Sequence, residues 1–560
     1  MQRLNQLFVC VLVIVYAVTV AANDAPIVQT AQGKLKGTTV LSWSGNTIIS
    51  FIGVRFAEPP VGQNRFKDPI SVEAWNGVRN ATEDGPLCPQ LVPDDITISE
   101  GIITSEDCLF LNVHTKSLTG KKPVIIYFHP GGFVAGTGNN VWTGPQYFLD
   151  QDIVLVTSNY RLGPFGFIST GDSVMSGNYG LKDQLEVMKW VKQNIAAFGG
   201  DPDSVTLFGY SAGAGSIQLH MVSPLSKGLF HRAITSSCSA TTPAVLNRDP
   251  ASLSRRYANL LNCSTETSHQ IRDCLLRHSV ADLLAAAGRI WDTLQPPFSL
   301  FGPVVEKQGG DKRFLRDDPV KLFQSGQFNQ VPLITGITRD EFNWRAQFLL
   351  TNSTYVNRIN NEFDEIAPWE FHYPREPRQV SKRISAALKQ FYFNNQPVSN
   401  STEEQLGWLY ADSLIIFSVW QAARLIAEKS SAPVYFYKFD FEGRYSYRYR
   451  LGTQIPYGVE HHDSLIYLFY IKPFFPLFNQ TDPEAYMVNT LTSTYANFAK
   501  TGVPTLPDCT QQWTQMTKNH LQHLNIAKPP TMKEGLPYPD RMQVWDSQLP
   551  IGGPYHQIFY

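Results

Sequence analysis

Short apolar runs alternate with segments of helical spacing through the first half of the chain. Residues 123–128 and 152–157 are continuous apolar stretches with the length of buried parallel strands. Apolar side chains recur at helical spacing over residues 181–198, and a third strand follows at 204–209. Residues 47–54 predict an earlier strand. This alternation predicts an α/β fold, with helices covering a mostly parallel sheet and the site at the carboxyl ends of the strands.

Nothing in the composition divides the chain. No repeat, low-complexity tract or Pro/Ser-rich linker interrupts the 560 residues, so residues 23–560 are predicted to form one domain. Apolar residues make up 43% and charged residues 17%, which is a globular composition. The formal net charge of −1 gives no basic surface that would favour nucleic acid as a partner.

The amino terminus predicts secretion. Residues 1–22 combine a short positive start, an apolar run of roughly a dozen residues and a small-residue exit, as signal peptides do. An uncleaved membrane anchor is the alternative, although the run is short for a ~20-residue span. No comparable run follows, so no stable membrane anchor is expected. Five Asn-X-Ser/Thr triplets are glycosylation acceptors, at Asn80, Asn262, Asn352, Asn400 and Asn479.

The cysteine spacing agrees with folding in the oxidising secretory pathway. Two loops are each bracketed by a cysteine pair that suits a disulfide. Of the other three among the seven cysteines, Cys10 lies in the predicted leader, and the remaining two either pair with each other or stay free. The bracketing pairs are Cys88 with Cys108 and Cys263 with Cys274, and the remaining two are Cys238 and Cys509.

The third predicted strand runs into a candidate nucleophile. Residues 209–213 read Gly-Tyr-Ser-Ala-Gly, the G-x-S-x-G pattern of a strand-to-helix turn that projects a serine hydroxyl. Structural glycines beside a serine are common, but the position directly after an apolar strand favours Ser211 as nucleophile. Gly131 and Gly132, at the end of another strand, are predicted to offer N–H groups with Ala212 as an oxyanion hole; a simple turn is the alternative.

A serine nucleophile needs a base and an acid that orients it. In this fold class the chain order is serine, acid, histidine. Residues 331–341 form a strand pattern that ends in Arg-Asp-Glu, and residues 458–463 offer a histidine. The chain has 12 histidines, so this logic alone does not select His461.

Several ordered motifs resemble the type-B carboxylesterase and cholinesterase family over nearly the whole mature chain, and in detail the secreted esterases of arthropods. They are FIGVRFAEPP (51–60), SEDCLFLN (105–112), NYRLGPFGF (159–167), GNYGLKDQ (177–184) and NFAKTG (497–502). The resemblance implies an α/β-hydrolase fold and hydrolysis of small-molecule esters without a metal or cofactor. It places the nucleophile, acid and base on Ser211, Glu341 and His461, the oxyanion donors on Gly131, Gly132 and Ala212, and disulfides on Cys88–Cys108 and Cys263–Cys274.

The chain also departs from the family pattern. Tyr210 stands where cholinesterases have Glu and juvenile-hormone esterases usually have Gln. His462 replaces a frequent glycine, Ser464 a frequent acid, and Cys238 a glycine. None of these changes removes a member of the implied triad.

The loop between Cys88 and Cys108 has no aromatic residue, whereas cholinesterases bind quaternary ammonium there with a tryptophan. The sequence therefore predicts a secreted serine carboxylesterase for neutral esters. A juvenile-hormone esterase is the main alternative, and a non-catalytic adhesion protein on the same fold is a more distant one. The oligomeric state is left open.

Overall fold

The computed structural model describes residues 25–91, 103–294, 301–374, 377–507 and 512–553. Its strands are β1 Ile27–Gln29, β2 Lys34–Lys36, β3 Thr38–Leu41, β4 Thr47–Arg55, β5 Val78–Asn80, β6 Phe110–Thr115, β7 Lys122–Phe128, β8 Val154–Ser158, β9 Gly200–Tyr210, β10 Arg232–Ser236, β11 Leu333–Thr338, β12 Val434–Phe439, β13 Gln522–Ile526 and β14 Thr531–Glu534. Its helices are α1 Gly163–Phe167, α2 Tyr179–Asn194, α3 Ala212–Val222, α4 Pro250–Leu260, α5 Ser268–Leu275, α6 Val280–Leu294, α7 Pro319–Gln324, α8 Trp344–Leu350, α9 Ser353–Asn361, α10 Phe363–Glu370, α11 Arg378–Phe393, α12 Glu403–Ala411, α13 Phe417–Lys429, α14 Ala485–Thr501 and α15 Pro539–Gln548.

One large sheet organises the domain. Its strand order is β14-β13-β12-β11-β10-β9-β7-β8-β6-β4-β3. The strands from β8 through β7, β9, β10, β11 and β12 to β13 are parallel, and antiparallel strands complete both edges. The predicted single-domain α/β-hydrolase architecture, with a mixed and mostly parallel sheet flanked by helices, is therefore confirmed.

The continuous apolar strands are explained by burial on both faces of the sheet. Along β7, Val124, Ile126 and Phe128 belong to one apolar core, whereas Ile125 and Tyr127 belong to the other. Successive side chains of a strand point to opposite faces, so a strand with helices on both sides must be apolar throughout. The sequence pattern located these strands for that reason.

Element boundaries differ modestly from the predictions. The helix expected over 181–198 begins at Tyr179, and its last turn, Ile195–Phe198, is a 3₁₀ helix. β9 begins at Gly200, before the predicted start at 204, because its first residues pair with β7 at Lys122. The early strand is β4, and the strand before the acidic cluster is β11.

The structure contains both predicted disulfides, Cys88–Cys108 and Cys263–Cys274. Cys238 is a buried free thiol, whereas Cys509 lies outside the described residues, as do the predicted leader and the carboxyl terminus after residue 553. All five predicted acceptor asparagines are exposed, and their glycosylation stays a prediction.

One helical stretch of the described chain has the length and composition to cross a membrane. It runs over Asn400–Lys429, and 89% of its apolar 18-residue segment is buried inside the fold. Such burial is typical of a core helix in a globular domain.

Candidate active site

Ser211 occupies the sharp turn between β9 and α3. Its backbone is strained, with φ 52° and ψ −123°, and its side chain is partly exposed. A Cβ on Gly213 would lie 2.0 Å from the carbonyl oxygen of Phe128, and one on Gly209 would lie 2.4 Å from the carbonyl carbon of Gly213. The two glycines therefore let helix and strands approach closely enough to form the turn, which presents the hydroxyl at the helix amino terminus.

Glu341 and His461 lie in direct contact although 120 residues separate them in sequence. Glu341 Oε2 is 2.5 Å from His461 Nδ1, and Glu341 Oε1 accepts the N–H of Thr338 at 2.8 Å. The exposed fraction is 0% for Glu341 and 4% for His461. This contact fixes the imidazole orientation and leaves Nε2, which has no hydrogen-bond partner within the described chain, as the nitrogen that can exchange a proton.

Asp340 joins the acid-bearing turn to the histidine loop. Its N–H donates to the carbonyl of Val459 at 3.0 Å, and its carboxylate accepts the N–H of Val459 at 2.8 Å. These two bonds hold Glu341 and His461, each a residue or two further along, at a fixed separation.

Two further buried acids flank His461. The carboxyl of Glu460 accepts the N–H of Trp344 at 3.0 Å, and burial together with Asp463 and Asp340 raises the pKa of Glu460 well above its usual value. Asp463 accepts the N–H of Glu460 at 2.8 Å, and burial raises the pKa of Asp463 to about 7. Through its bonds to the N–H groups of Trp344 and His461, Glu460 orders the loop that carries the histidine.

Gly131, Gly132 and Ala212 supply three N–H groups that have no backbone acceptor in the described chain. Gly131 and Gly132 have φ values of 113° and 60°, and a Cβ on Gly131 would lie 2.0 Å from the carbonyl oxygen of Ala135. Ala212 is the first residue of α3, so its N–H lies at the positive end of the helix. Unpaired N–H groups at a strand end and a helix start are the components of an oxyanion hole.

A cavity of about 290 Å³ opens beside His461. Of the candidate site residues, Gly131 and His461 are in its described lining, together with His462, whereas Ser211, Gly132 and Ala212 are not. Many of the lining residues are aromatic: Tyr127, Trp142, Phe342, Trp344, Tyr447, Tyr449, Phe469, Phe474 and Phe475. No carboxylate is among the lining residues that the structure describes, but the guanidinium of Arg448 is, and it lies 4.2 Å from the ring centre of Trp344.

The aromatic walls change one step of the sequence argument. Of the described residues in the loop between Cys88 and Cys108, 89–91 and 103–107, Gln90 lines the cavity, and it is not aromatic. Other segments nevertheless supply aromatic faces, so the cavity is not poor in them. One face of Trp344 is covered by the guanidinium of Arg448.

Sequence reasoning did not identify most of these cavity walls. Phe342 and Trp344 follow Glu341 directly, so their position at a strand end was an available signal. Tyr447, Phe474 and Phe475 come from irregular segments without periodicity, and only the fold brings them to the site.

Comparison with known proteins gives a consistent picture. The model of the carboxylesterase family matches residues 24–545. Esterase E4 of Myzus persicae is 37% identical over 91% of this chain and 92% of its own length. The juvenile hormone esterase of Tribolium castaneum is 34% identical over 91% of this chain and 87% of its own.

A solved structure agrees in fold. The juvenile hormone esterase of Manduca sexta, solved with OTFP covalently attached, is 28% identical and superposes with a TM-score of 0.84. The match covers 94% of this chain and 99% of that one. The chain is a carboxylic ester hydrolase, and it belongs to the carboxylesterase family.

Proposed function

We propose that the protein is a secreted serine carboxylesterase that hydrolyses neutral esters through an acyl-enzyme. The observation that carries the mechanism is the 2.5 Å contact between Glu341 and His461, beside a strained turn that presents Ser211. His461 removes the proton of Ser211, and Ser211 attacks the ester carbonyl. The N–H groups of Gly131, Gly132 and Ala212 stabilise the oxyanion, and His461 then protonates the leaving alcohol.

Deacylation repeats these roles with water. His461 activates the water, which attacks the acyl carbonyl, and Ser211 leaves with its proton restored. Glu341 stabilises the imidazolium form of His461 in both steps. A burst of alcohol of one equivalent per chain, followed by slower turnover of an activated p-nitrophenyl ester, tests the acyl-enzyme. A burst is visible only when deacylation is slow, so acetate, butyrate and pivalate esters are compared. Linear alcohol release with all three esters, and no acyl group bound to the protein after acid quench, would contradict an acyl-enzyme.

The preference for neutral esters rests on the walls of the cavity. Aromatic side chains gain by covering apolar groups, at roughly 0.8 kcal/mol per buried methylene. Arg448 also lines the cavity, and its guanidinium occupies one face of Trp344 that a cationic head group would otherwise use.

A juvenile-hormone esterase remains the second candidate because relatives of that name match most of the chain. The two candidates share the same chemistry and differ in substrate. A screen over acyl chain length that includes juvenile hormone separates them: kcat/KM for the hormone far above that of simple esters would favour the hormone esterase. Amino-terminal sequencing of the exported protein tests secretion, with a mature start expected near Asn23.

A further inference from the structure

The hydroxyl of Tyr210 forms hydrogen bonds that link three segments of the chain. Tyr210 is the last residue of β9, directly before Ser211, and its exposed fraction is 0%. Its hydroxyl accepts a hydrogen bond from Ser237 Oγ at 2.8 Å and one from the backbone N–H of His462 at 3.1 Å. One side chain thus connects the nucleophile turn, the end of β10 and the histidine loop.

The bond to His462 acts on a strained part of the backbone. His462 has φ 83° and ψ −11°, a left-handed conformation that side chains other than glycine rarely adopt. Such a conformation persists only where surrounding contacts enforce it. Its N–H points to the Tyr210 hydroxyl, so this bond helps to hold the turn that follows His461.

The tyrosine ring also packs against the imidazoles. The ring centre of Tyr210 lies 5.3 Å from that of His461, edge to face, and 5.1 Å from that of His462. Phe342 covers His461 from another side, with ring centres 4.3 Å apart. His461 is therefore confined by two rings, by Glu341 at Nδ1 and by the tethered backbone of the next residue.

We propose that Tyr210 is a positioning residue that sets the imidazole of His461 relative to Ser211 through a neutral tether to the histidine loop. This inference rests on the proposed roles of Ser211 and His461. It also gives a role to one departure from the family pattern, because Tyr210 bonds Ser237 and the backbone of His462 where cholinesterases carry an acid. Burial and the carboxylate of Glu341 keep the pKa of Tyr210 well above its usual value, so the tether adds no charge.

The first test is Tyr210→Phe, which removes the hydroxyl and keeps the ring. Because misplacement of a catalytic group by ~1 Å can cost about 100-fold, we expect kcat to fall about 10- to 100-fold while KM stays within roughly twofold. The acid limb of the kcat/KM profile should not move, since no charge is lost. Tyr373→Phe is the matched control: its hydroxyl is also buried and bonded to a serine, Ser385, at 2.7 Å, remote from the site, so its kcat should be unchanged.

The second test is Ser237→Ala, which removes the side chain that donates to the Tyr210 hydroxyl. It gives an independent result if Tyr210→Phe does not fold. We expect a smaller fall in kcat, and non-additive effects in the double variant, because both substitutions act on one network. A kcat within twofold of wild type for folded Tyr210→Phe, or for Ser237→Ala where Tyr210→Phe does not fold, would overturn the proposal. A shifted acid limb would do the same, because it indicates an electrostatic role.

Labelling of the wild-type protein separates this failure from failure of the proposed function. A fluorophosphonate should label wild type at Ser211, and Tyr210→Phe at the same residue but more slowly. If wild type is labelled and Tyr210→Phe is labelled equally fast, only the positioning role fails. If wild type is not labelled at Ser211, the proposed function itself fails.

Discussion

Glu341 Oε2 lies 2.5 Å from His461 Nδ1, and both side chains are almost completely shielded from water. The other oxygen of Glu341 is fixed by the N–H of Thr338. In the proposed mechanism, a carboxylate held in this way stabilises the imidazolium that forms when His461 accepts a proton, and it leaves Nε2 available for that proton.

Glu341→Gln should lower kcat about 1,000-fold or more, because a neutral amide cannot stabilise the imidazolium and can favour the wrong tautomer. Steady-state kinetics with a p-nitrophenyl ester measure the effect. Glu460→Gln is the matched control: Glu460 is also buried beside His461, but its carboxyl bonds backbone N–H groups, so the amide should cost kcat much less. Equal losses in both variants would contradict a special role for Glu341.

Gly213→Ala should prevent stable folding. The added Cβ would lie 2.0 Å from the carbonyl oxygen of Phe128, with backbone on both sides, so neither partner can yield cheaply. Gly288→Ala provides a contrast, since nothing lies within 4 Å of the added Cβ in helix α6, and alanine there should stabilise the fold by up to about 1 kcal/mol. Thermal melting of both variants tests whether the melting temperature falls for Gly213→Ala and rises for Gly288→Ala. A Gly213→Ala protein that melts like wild type would show that the turn can open.

Arg448 should lower the activity of the protein on cationic esters relative to neutral ones. A choline ester and its neutral isostere with a tert-butyl head are compared by kcat/KM, and wild type should favour the neutral ester by about tenfold or more, since ~1.4 kcal/mol is a factor of ten. Arg448→Met should raise kcat/KM for the cationic ester and so reduce that ratio about tenfold. Arg450→Met is the control, because Arg450 is exposed and does not line the described cavity. A ratio that Arg448→Met leaves unchanged would place the charge discrimination elsewhere.

Acid should weaken the fold through buried neutral histidines. Burial lowers the pKa of His114 from 6.5 to about 3, so below pH 6.5 the unfolded chain binds a proton that the folded chain does not. Unfolding free energy contributed in this way is present above pH 6.5 and is lost as the pH falls, at about 1.4 kcal/mol per pH unit for each such histidine. Urea unfolding at pH 7 and pH 5 should show a smaller loss for His114→Gln than for wild type. The exposed His269→Gln should keep the wild-type loss, and an identical loss in all three proteins would refute this account.

The sequence predicted the framework of the site because that framework is steric and local. Continuous apolar strands, the glycines around Ser211 and the acids after β11 are each visible within a few residues. The pairing of Glu341 with His461 was implied only by family resemblance, since it joins segments 120 residues apart and twelve histidines were available. The Tyr210 tether and the charge of Arg448 in the cavity depend on irregular loops, whose paths no local pattern specifies.

The most direct test of the central claim is covalent labelling with a fluorophosphonate, located by peptide mass spectrometry. The nucleophile turn predicts one phosphonyl group per chain, on Ser211, with loss of esterase activity in proportion to labelling. Ser211→Ala should fold like wild type, take up no label and hydrolyse no ester above background. Stoichiometric labelling of Ser211→Ala, or wild-type turnover by that variant, would contradict Ser211 as the nucleophile.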